Sequence, residues 1–402
     1  MAKYRLEITR NQELILLRHC SDARYMWNLC VEQENEWRPG RGKMPGYAER
    51  CRQLTAARAE NAWLAEGSVI VQQQAIKDHQ QAMTKFFNGT HGRPKWRKQH
   101  QDEGFRIVAV GLGDVRRLNR NHAMVKVPKA GWVRFRWSRP VPDGVKSFRV
   151  IRDRSGRWHI AFAVIPDPIL GPGTGEVVGV DRGVAVSAAL STGELLRCPG
   201  LSARETTQLR SAQRKLSKAK RGSSRRDKAK AQVARLRARE VDRRNDWCEQ
   251  LSTSLARRFD VIRVEDLKVR NMTHSAKGTG HAPGKNVAAK AGLNRAIQSS
   301  GWGRLVRRLE EKAPGRVEKV PPAYTSQCCS ACGHVDAKSR KSQADFRCTA
   351  CGFACNADVN AARNIAAGHA VKARGGHRIA GPVNREPQLS LLSVSWNPLH
   401  SV

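Results

Sequence analysis

The sequence predicts an α+β protein of several domains, in which a β-rich unit with a helical insertion precedes a mixed α/β unit. The length of 402 residues is enough for two or three domains, each with its own buried core. An alternating segment near the N-terminus, KYRLEI, predicts a first strand. Residues 105–165 are β-rich again, whereas the segment between these two regions has a helical pattern.

The helical insertion extends from Asn11 to about Gln99, with breaks at RPGRGKMPGY and at Gly67. Within SVIVQQQAIKDHQQAMTKFF, apolar residues recur at helical spacing, which predicts one face packed against a core. These residues are Val69, Ile76, Met83 and Phe87.

The β-rich block contains three apolar segments, HAMVKVPKAGWVRFRW, VKSFRVIRD and RWHIAFAVI, joined by turns that contain Pro, Gly and Asp. Short strands joined in this way predict a small antiparallel barrel or sandwich. The segment that follows, PDPILGPGTGE, is typical of a linker, so we expect a new domain to begin near Gly175.

The second unit begins with VVGVDRGVAVSAALSTGEL, which predicts an apolar strand, a tight turn and a second strand. Residues 204–244 contain 16 Lys or Arg and four Asp or Glu at helical spacing, which predicts a helical hairpin with a basic outer face. Such runs are commonly solvated faces, but the excess of one sign favours contact with phosphates. FDVIRVEDL then predicts a buried strand, and AGLNRAIQSSGWGRLVRRLEEKA predicts helix.

The charge and the cysteines indicate the kind of partner and compartment. Lys and Arg outnumber Asp and Glu by 73 to 35, which gives a formal charge of +38 and favours a polyanionic partner. Nucleic acid is favoured over lipid, because no segment approaches the roughly 18 apolar residues of a membrane helix and the N-terminus has no signal-peptide core. Eleven cysteines, four of them in CxxC pairs, indicate metal binding in a reducing compartment. We therefore expect a cytoplasmic, nucleoid-associated protein that binds no membrane.

Two CxxC pairs separated by fifteen residues have the spacing of a four-thiolate zinc ribbon. A glycine follows each pair, at Gly333 and Gly352, where the backbone must turn tightly. With four protein ligands the zinc ion is structural; the alternative is four unrelated buried thiols. Cys328 and Cys355 lie at the wrong spacing to belong to the site. The four predicted ligands are Cys329, Cys332, Cys348 and Cys351.

Three acids stand out in this acid-poor chain. Asp181 ends the apolar segment VVGVD, Glu265 ends DVIRVE, and Asp358 begins an Ala-rich helical stretch. Carboxylates that converge from different elements can hold two Mg²⁺ ions for phosphodiester hydrolysis. Each acid also has an ordinary explanation, since Asp181 could be a turn residue, Glu265 an ion-pair partner and Asp358 a helix N-cap.

Five motifs together resemble TnpB proteins, the RNA-guided nucleases of insertion sequences that are related to miniature type V CRISPR effectors. The resemblance covers about residues 175–368 with specific motifs, and the N-terminal half only in length and element order. The motifs are GVDRG at Gly179–Gly183, VEDLKVRNM at Val264–Met272, LNRAIQSSGWG at Leu293–Gly303, YTSQCCSACG at Tyr324–Gly333 and CGFACNADVNAARNI at Cys351–Ile365.

The resemblance implies a RuvC-like, RNase H-type α/β nuclease domain with an inserted zinc ribbon. It places the catalytic, magnesium-binding acids at Asp181, Glu265 and Asp358, all of which are present. Arg182 departs from the pattern, because an apolar residue often follows the first Asp in this family. The implied cofactors are two catalytic Mg²⁺ ions and one structural Zn²⁺ ion.

For the N-terminal half, the resemblance implies a β-barrel wedge domain with a helical recognition lobe that grips guide RNA and reads a short motif beside the target. Tyr47, Lys77 and Gln81 match the motif-reading positions, and Lys and Gln can read base edges. Ordinary polar residues beside a core-facing helix are the alternative. The basic segment GRPKWRKQ is expected to lie on RNA backbone, or else only to keep the lobe soluble. Its nucleic-acid-binding candidates are Arg93, Lys95, Trp96 and Arg97.

The predicted boundaries follow from these motifs. They are residues 1–10 and 104–174 for the wedge domain, 11–103 for the recognition lobe, 175–322 and 353–370 for the nuclease domain, 323–352 for the zinc ribbon and 371–402 for a disordered tail.

The leading functional hypothesis is an Mg²⁺-dependent, RNA-guided endonuclease that cuts double-stranded DNA at a single site, as a monomer or a dimer on one RNA. A miniature type V CRISPR effector that uses a CRISPR RNA is the alternative within this class. Outside it, the alternatives are an RNA-guided DNA-binding protein with little cleavage and a transposase that joins strands. The intact acid triad argues against a binding protein with little cleavage. The ribbon before the third acid argues against a strand-joining transposase.

Overall fold

The computed structural model describes residues 2–368 except 39, 41, 102, 109 and 165. Within these residues the chain forms a mixed α/β arrangement around two large sheets and one small two-stranded sheet. No helix of this part of the chain is both long and apolar enough to cross a membrane. The predicted disordered tail, residues 371–402, lies outside the described residues.

The first unit is a seven-stranded antiparallel sheet with four helices inserted after its first strand. Its strands lie in the order β2-β6-β7-β1-β5-β4-β3. They are β1 (Ala2–Glu7), β2 (Gly104–Val108), β3 (Val115–Arg117), β4 (His122–Val127), β5 (Gly131–Arg136), β6 (Ser147–Arg152) and β7 (Trp158–Phe162). The helices are α1 (Arg10–Glu36), α2 (Tyr47–Glu60), α3 (Ala62–Ala65) and α4 (Val69–Phe87), and a 3₁₀ turn covers Leu112–Asp114.

The prediction of a closed β-barrel is wrong for the described residues, because edge strands β2 and β3 do not pair and the sheet stays open. Helices α1 and α4 pack against β2 instead. Leu16 and Ile76 from these helices share one apolar core with Phe135 and Phe162 from the sheet. Since helices cover its apolar side chains, the sheet can exclude water without closing on itself.

The predicted apolar face of α4 is only partly buried. Ile76 is fully buried, but Val69 is 39% exposed and Phe87 is 76% exposed. The buried face includes the polar residues Gln72 and His79. Gln72 donates hydrogen bonds to Asp22 and to the Leu64 carbonyl, so its burial is compensated in a way that the hydrophobic pattern does not reveal.

The second unit is a five-stranded mixed sheet in the order β10-β9-β8-β11-β12, in which β8, β11 and β12 are parallel. Its strands are β8 (Val177–Asp181), β9 (Ala188–Leu190), β10 (Leu195–Leu196), β11 (Val261–Glu265) and β12 (Val317–Val320). Its helices are α5 (Ala203–Lys218), α6 (Ser224–Arg258), α7 (Val269–Met272), α8 (Val287–Ser299), α9 (Trp302–Lys312) and α10 (Ala357–Ala367). The small sheet comprises β13 (Asp345–Arg347) and β14 (Ala354–Asn356), and Ala337–Ser339 forms a 3₁₀ turn.

Strands β8 and β11 are apolar because both lie inside the second core. Val180 and Val264 pair across these strands and pack in one cluster with Leu255 of α6 and Leu309 of α9. Such parallel strands, buried on both faces, read as continuous apolar runs. This core fixes the position at which β8 and β11 end.

The predicted basic helical hairpin is confirmed as α5 packed against α6. Each helix has a serine N-cap, because the hydroxyls of Ser202 and Ser223 accept from backbone N–H groups in the first turn. Leu209 and Leu236 lie buried in the hairpin, while most Lys and Arg side chains at its tip are exposed; Arg226 is partly buried and donates to the carbonyls of Leu216 and Ala219. The hairpin therefore presents a basic surface that its own core does not require.

Candidate active site and metal centre

Two of the predicted acids meet at one edge of the mixed sheet. Because β8 and β11 are parallel and Val180 lies opposite Val264, Asp181 and Glu265 end neighbouring strands at the same level. Glu265 is buried, and Asp181 is partly buried. The apolar strands thus bring the two acidic residues to the same end of the sheet, on neighbouring strands.

The third acid, Asp358, is brought to these strands by α10, which packs directly on β8. A Cβ atom on Gly179 would lie 2.0 Å from the Ala362 carbonyl oxygen, so the helix backbone touches the strand there. Asp358 is not the N-cap of α10. Asn356 has that role, because its side chain accepts hydrogen bonds from the backbone N–H groups of Asp358 and Val359 at 3.0 and 3.2 Å. The Asp358 carboxylate is therefore available to the site.

The electrostatics show that Glu265 and Asp358 both act on Asp181. Burial, followed by the charges of Glu265 and Asp358, raises the pKa of Asp181 well above its usual value, against the opposing influence of Arg340. Burial likewise raises the pKa of Asp358, again opposed by Arg340. Like charges are thus held together at a cost that a bound cation would offset.

Two arginines complete the surroundings of the acids. Nη2 of Arg340, from the segment between the two cysteine pairs, lies 3.3 Å from Oδ1 of Asp358. The buried side chain of Arg182 donates to the backbone carbonyl of Glu265, and burial lowers the pKa of Arg182. Arg182 thus stabilises the end of β11 from the position directly after Asp181.

Sequence reasoning missed Arg340 and Thr325. The hydroxyl of Thr325 donates to Oε1 of Glu265 at 2.8 Å. Thr325 lies in the YTSQCCSACG motif, so its place in that motif was an available signal. Arg340 lies in a polar turn of the ribbon, where no pattern separates it from the neighbouring basic residues.

Carboxylate oxygens are the donors that Mg²⁺ prefers, so the donor set of Asp181, Glu265 and Asp358 fits that ion. Their mutual repulsion also fits a site completed by a cation. The ligand oxygens of the three acids do not all lie within 4.8 Å of one another; within the described residues, the four cysteines are the group of ligand side chains that meets this distance.

The four predicted zinc ligands come together. Their sulfur atoms all lie within 4.8 Å of one another, with 3.8 Å between Cys329 and Cys351 and 3.6 Å between Cys332 and Cys348. Sulfurs bound at about 2.3 Å to one tetrahedral zinc ion lie roughly 3.8 Å apart, so the cluster fits Zn²⁺.

The backbone of the ribbon has the two tight turns that the sequence predicted. Gly333 and Gly352 have φ values of +75° and +72°, a conformation that favours glycine. Cys328 and Cys355 lie outside the cluster, as expected. The thiol of Cys328 instead faces the backbone carbonyls of Cys329 and Gly333.

The predicted motif-reading residues share one region of the helical insertion. The ammonium group of Lys77 lies 4.7 Å from the centre of the Tyr47 ring, a cation–π contact between α4 and the start of α2. Gln81 follows one turn later on α4 and is exposed, as is Lys77. The three side chains are thus close enough to contact one ligand.

The basic segment of residues 92–99 is fastened to α1. The Trp27 indole N–H donates to the Lys95 carbonyl at 2.9 Å, and the Arg97 guanidinium lies 3.6 Å from the centre of the Trp27 ring. Arg93, Lys95 and Trp96 are exposed, Trp96 by 51%. Arg97 therefore anchors the segment, while its neighbours face solvent.

Two protein-family models match parts of the chain. The model described as "Probable transposase" matches residues 165–276, and the model described as "Cas12f1-like, TNB domain" matches residues 302–365. The first covers β8, β11 and the basic hairpin, and the second covers the cysteine cluster and Asp358.

Two full-length relatives and one solved structure are similar to the chain. It is 35% identical over 395 residues to the "Putative RNA-guided DNA endonuclease InsQ" of Escherichia coli K12, with 96% of each chain covered. It is 32% identical over 382 residues to a "Putative RNA-guided DNA endonuclease" of Streptomyces pristinaespiralis, covering 93% of this chain and 90% of the relative. A Cas12f1 in complex with single-guide RNA and target DNA shares the fold, with a TM-score of 0.53 and 15% identity over 88% of this chain and 82% of that chain.

Proposed function

Because the chain belongs to the TnpB family of RNA-guided DNA endonucleases, we propose that it cuts double-stranded DNA under the direction of a guide RNA, at the site formed by Asp181, Glu265 and Asp358. The observation that supports this proposal is that Asp181 and Glu265 end neighbouring parallel strands, with Asp358 near enough for its charge to act on Asp181. A protein that only binds nucleic acid has no need to hold three repelling carboxylates together.

In the proposed mechanism the three carboxylates would hold Mg²⁺, since their oxygens are its preferred donors. Mg²⁺ held there would supply activation of a water for attack and stabilisation of the departing oxygen of the phosphodiester. Asp181 and Glu265 are fixed by paired strands, and Asp358 is fixed by the contact of α10 with β8, so the ligands are held in place before substrate binds.

Arg340 is placed to bind the phosphate that is cut. Its guanidinium lies beside Asp358 and belongs to the ribbon rather than to the sheet. A guanidinium can donate two parallel hydrogen bonds to a phosphate and balance the charge that develops there. Arg340 would exchange its contact with Asp358 for one with the scissile phosphate when the substrate and cations enter.

The architecture supports a RuvC-like assignment for the second unit. The sheet consists of three parallel strands, β8, β11 and β12, extended on the β8 side by β9 and β10, which each run antiparallel to the strand before them. Asp181 and Glu265 lie at strand ends, and Asp358 lies on the helix that packs on β8. With a single centre of this kind, the two DNA strands must enter in turn. The zinc ribbon, residues 323–352, lies between β12 and α10 and has a structural role.

The nucleic acids bind to the basic surfaces of both units. In the first unit, Tyr47, Lys77 and Gln81 contact the short motif beside the target, and the exposed residues of the segment 92–99 contact RNA backbone. In the second unit the basic α5–α6 hairpin contacts phosphates. Guide pairing then supplies the sequence specificity.

The test is guided cleavage by purified protein with its co-purified RNA. Asp181→Ala and Asp358→Ala are expected to bind RNA and target DNA with nearly unchanged affinity and to cut neither strand. A variant that cuts at the wild-type rate would show that the acids are not the catalytic site. Sequencing the co-purified RNA separates a transposon-derived guide from a CRISPR RNA.

A further inference from the structure

Thr325 makes a hydrogen bond that the proposed catalytic function does not by itself require. The residue is 2% exposed, and its hydroxyl lies 2.8 Å from Oε1 of Glu265 and 3.2 Å from the Pro322 carbonyl oxygen. A hydroxyl has one proton to donate, and a bond to a carboxylate is the stronger of the two. The Thr325 hydroxyl therefore holds one oxygen of Glu265.

The backbone around Thr325 is fixed in an uncommon conformation. Tyr324, the preceding residue, has a φ of +63°, which is rare for a bulky side chain. Its carbonyl accepts hydrogen bonds from the N–H groups of Gln327 and Cys328, at 3.0 and 2.9 Å. This turn aims the Thr325 side chain at β11, and such conformations persist only where the surroundings enforce them.

The same turn is attached to the helix that carries Asp358. The side-chain amide of Asn364, on α10, donates to the carbonyls of Thr325 and Cys328 at 2.8 and 2.7 Å. Asn360, one turn earlier, donates to the Cys328 carbonyl and accepts from the N–H of Ser330. Both asparagines are buried, so water does not readily replace these bonds.

We propose that Thr325 is a positioning residue for Glu265, and that it sets this carboxylate in register with Asp358. Its hydroxyl restricts rotation of the Glu265 carboxylate, while its backbone is held by α10. The inference rests on the proposed function, because the orientation matters only if Glu265 binds the catalytic cation. Removal of a residue that hydrogen-bonds to a metal ligand commonly lowers metal affinity or activity by about 10- to 100-fold.

The experiment compares Thr325→Val, Thr325→Ala and Thr325→Ser with wild type over a range of Mg²⁺ concentrations. Valine keeps the shape and loses the hydroxyl, and serine keeps the hydroxyl. We expect Thr325→Val and Thr325→Ala to need at least about tenfold more Mg²⁺ for half-maximal cleavage, and Thr325→Ser to stay close to wild type. A second readout without cleavage is Mn²⁺ binding by electron paramagnetic resonance, which should weaken in the same order.

A matched control removes an equivalent bond elsewhere in the ribbon. The Thr349 hydroxyl donates to Oδ2 of Asp336 at the same distance of 2.8 Å, but at an exposed position. Thr349→Val should leave the Mg²⁺ requirement unchanged. Zinc content and melting temperature, measured for every variant, report any damage to the ribbon.

The proposal is overturned if Thr325→Val, or Thr325→Ala should the valine variant not fold, has the wild-type Mg²⁺ dependence. It is equally overturned if Thr325→Ser is as impaired as the other two, because packing and not the hydroxyl would then matter. Glu265→Gln separates this outcome from failure of the proposed function. An active Glu265→Gln variant refutes the proposed function, whereas an inactive one beside a normal Thr325→Val refutes only the role of Thr325.

Discussion

We expect Gly179→Ala to remove most of the guided cleavage, because Gly179 is where α10 touches β8. An added Cβ would lie 2.0 Å from the Ala362 carbonyl oxygen and 2.4 Å from the Ala366 nitrogen, and both are backbone atoms. Ordinary contact begins at 3.4 Å, so the helix must move by about 1.4 Å. The helix carries Asp358, whereas Gly179 lies two residues before Asp181 on the strand.

The expected magnitude follows from this displacement. A 1 Å misplacement of a catalytic group can cost about 100-fold in rate, so the cleavage rate of Gly179→Ala should fall by at least about that factor. Overpacking should also lower the free energy of unfolding by about 1–3 kcal/mol. The assay measures cleavage of matched target under single-turnover conditions, together with RNA binding and the melting temperature.

Gly303→Ala is the matched control, since Gly303 is an exposed helical glycine in α9 whose added Cβ would meet no atom within 4 Å. This change should leave cleavage unaltered and stabilise the helix by about 0.5–1 kcal/mol. If Gly179→Ala cuts as fast as wild type, then Asp358 does not depend on the contact between α10 and β8, and the description of the site is wrong.

Three further outcomes are expected. Asp181→Asn should raise the melting temperature of the metal-free protein at neutral pH. The folded-state pKa of Asp181 lies above the unfolded value of about 3.9, so its ionisation lowers stability as pH rises between the two, and the advantage of the variant should vanish near pH 4. Cys348→Ser should lose bound zinc and melt at a lower temperature, as measured by metal analysis and calorimetry, and a variant with normal stability and no zinc would contradict the structural role. Exchanging Lys215, Lys218 and Lys228 for Glu should weaken RNA binding and reduce its dependence on salt, because these exposed residues form no ion pair within the described part of the chain; an unchanged salt dependence would exclude the hairpin as a phosphate contact.

The sequence was sufficient to predict that Asp181 and Glu265 end strands of one sheet and that the four cysteines meet. Asp181 and Glu265 each end an apolar run, and parallel buried strands necessarily end at a common edge. The CxxC spacing likewise encodes a local site, which needs only two tight turns at Gly333 and Gly352. Both predictions depend on short sequence patterns in which residue type and spacing determine the local geometry.

Other features depend on contacts between distant parts of the chain. The first sheet stays open, with β2 and β3 as its two unpaired edge strands, and helices α1 and α4 pack against it. Strand patterns alone do not reveal this packing. The hydrogen bond from Thr325 to Glu265 joins residues sixty positions apart. Arg340 is one of many basic residues in the sequence, and only the fold places it beside an acid.

The N-cap of α10 could be predicted only in part, because the sequence offers two candidate residues for it. Asp358 and Asn356 are both good capping residues, and a pattern of residue types does not choose between them. The structure assigns the cap to Asn356, which leaves Asp358 as the second residue of the helix, within its first turn. If Asp358 were the cap, its carboxylate would bind the helix backbone. Because Asn356 is the cap instead, the Asp358 carboxylate can act as the proposed metal ligand.

The most direct measurement is cleavage of a guide-matched DNA duplex by the protein with its co-purified RNA, comparing wild type with Asp358→Ala in the presence of Mg²⁺. The account predicts that wild type cuts both strands of matched DNA and leaves mismatched DNA intact, while Asp358→Ala binds the matched duplex equally well and cuts neither strand. Cleavage of the matched duplex by Asp358→Ala at the wild-type rate would contradict it.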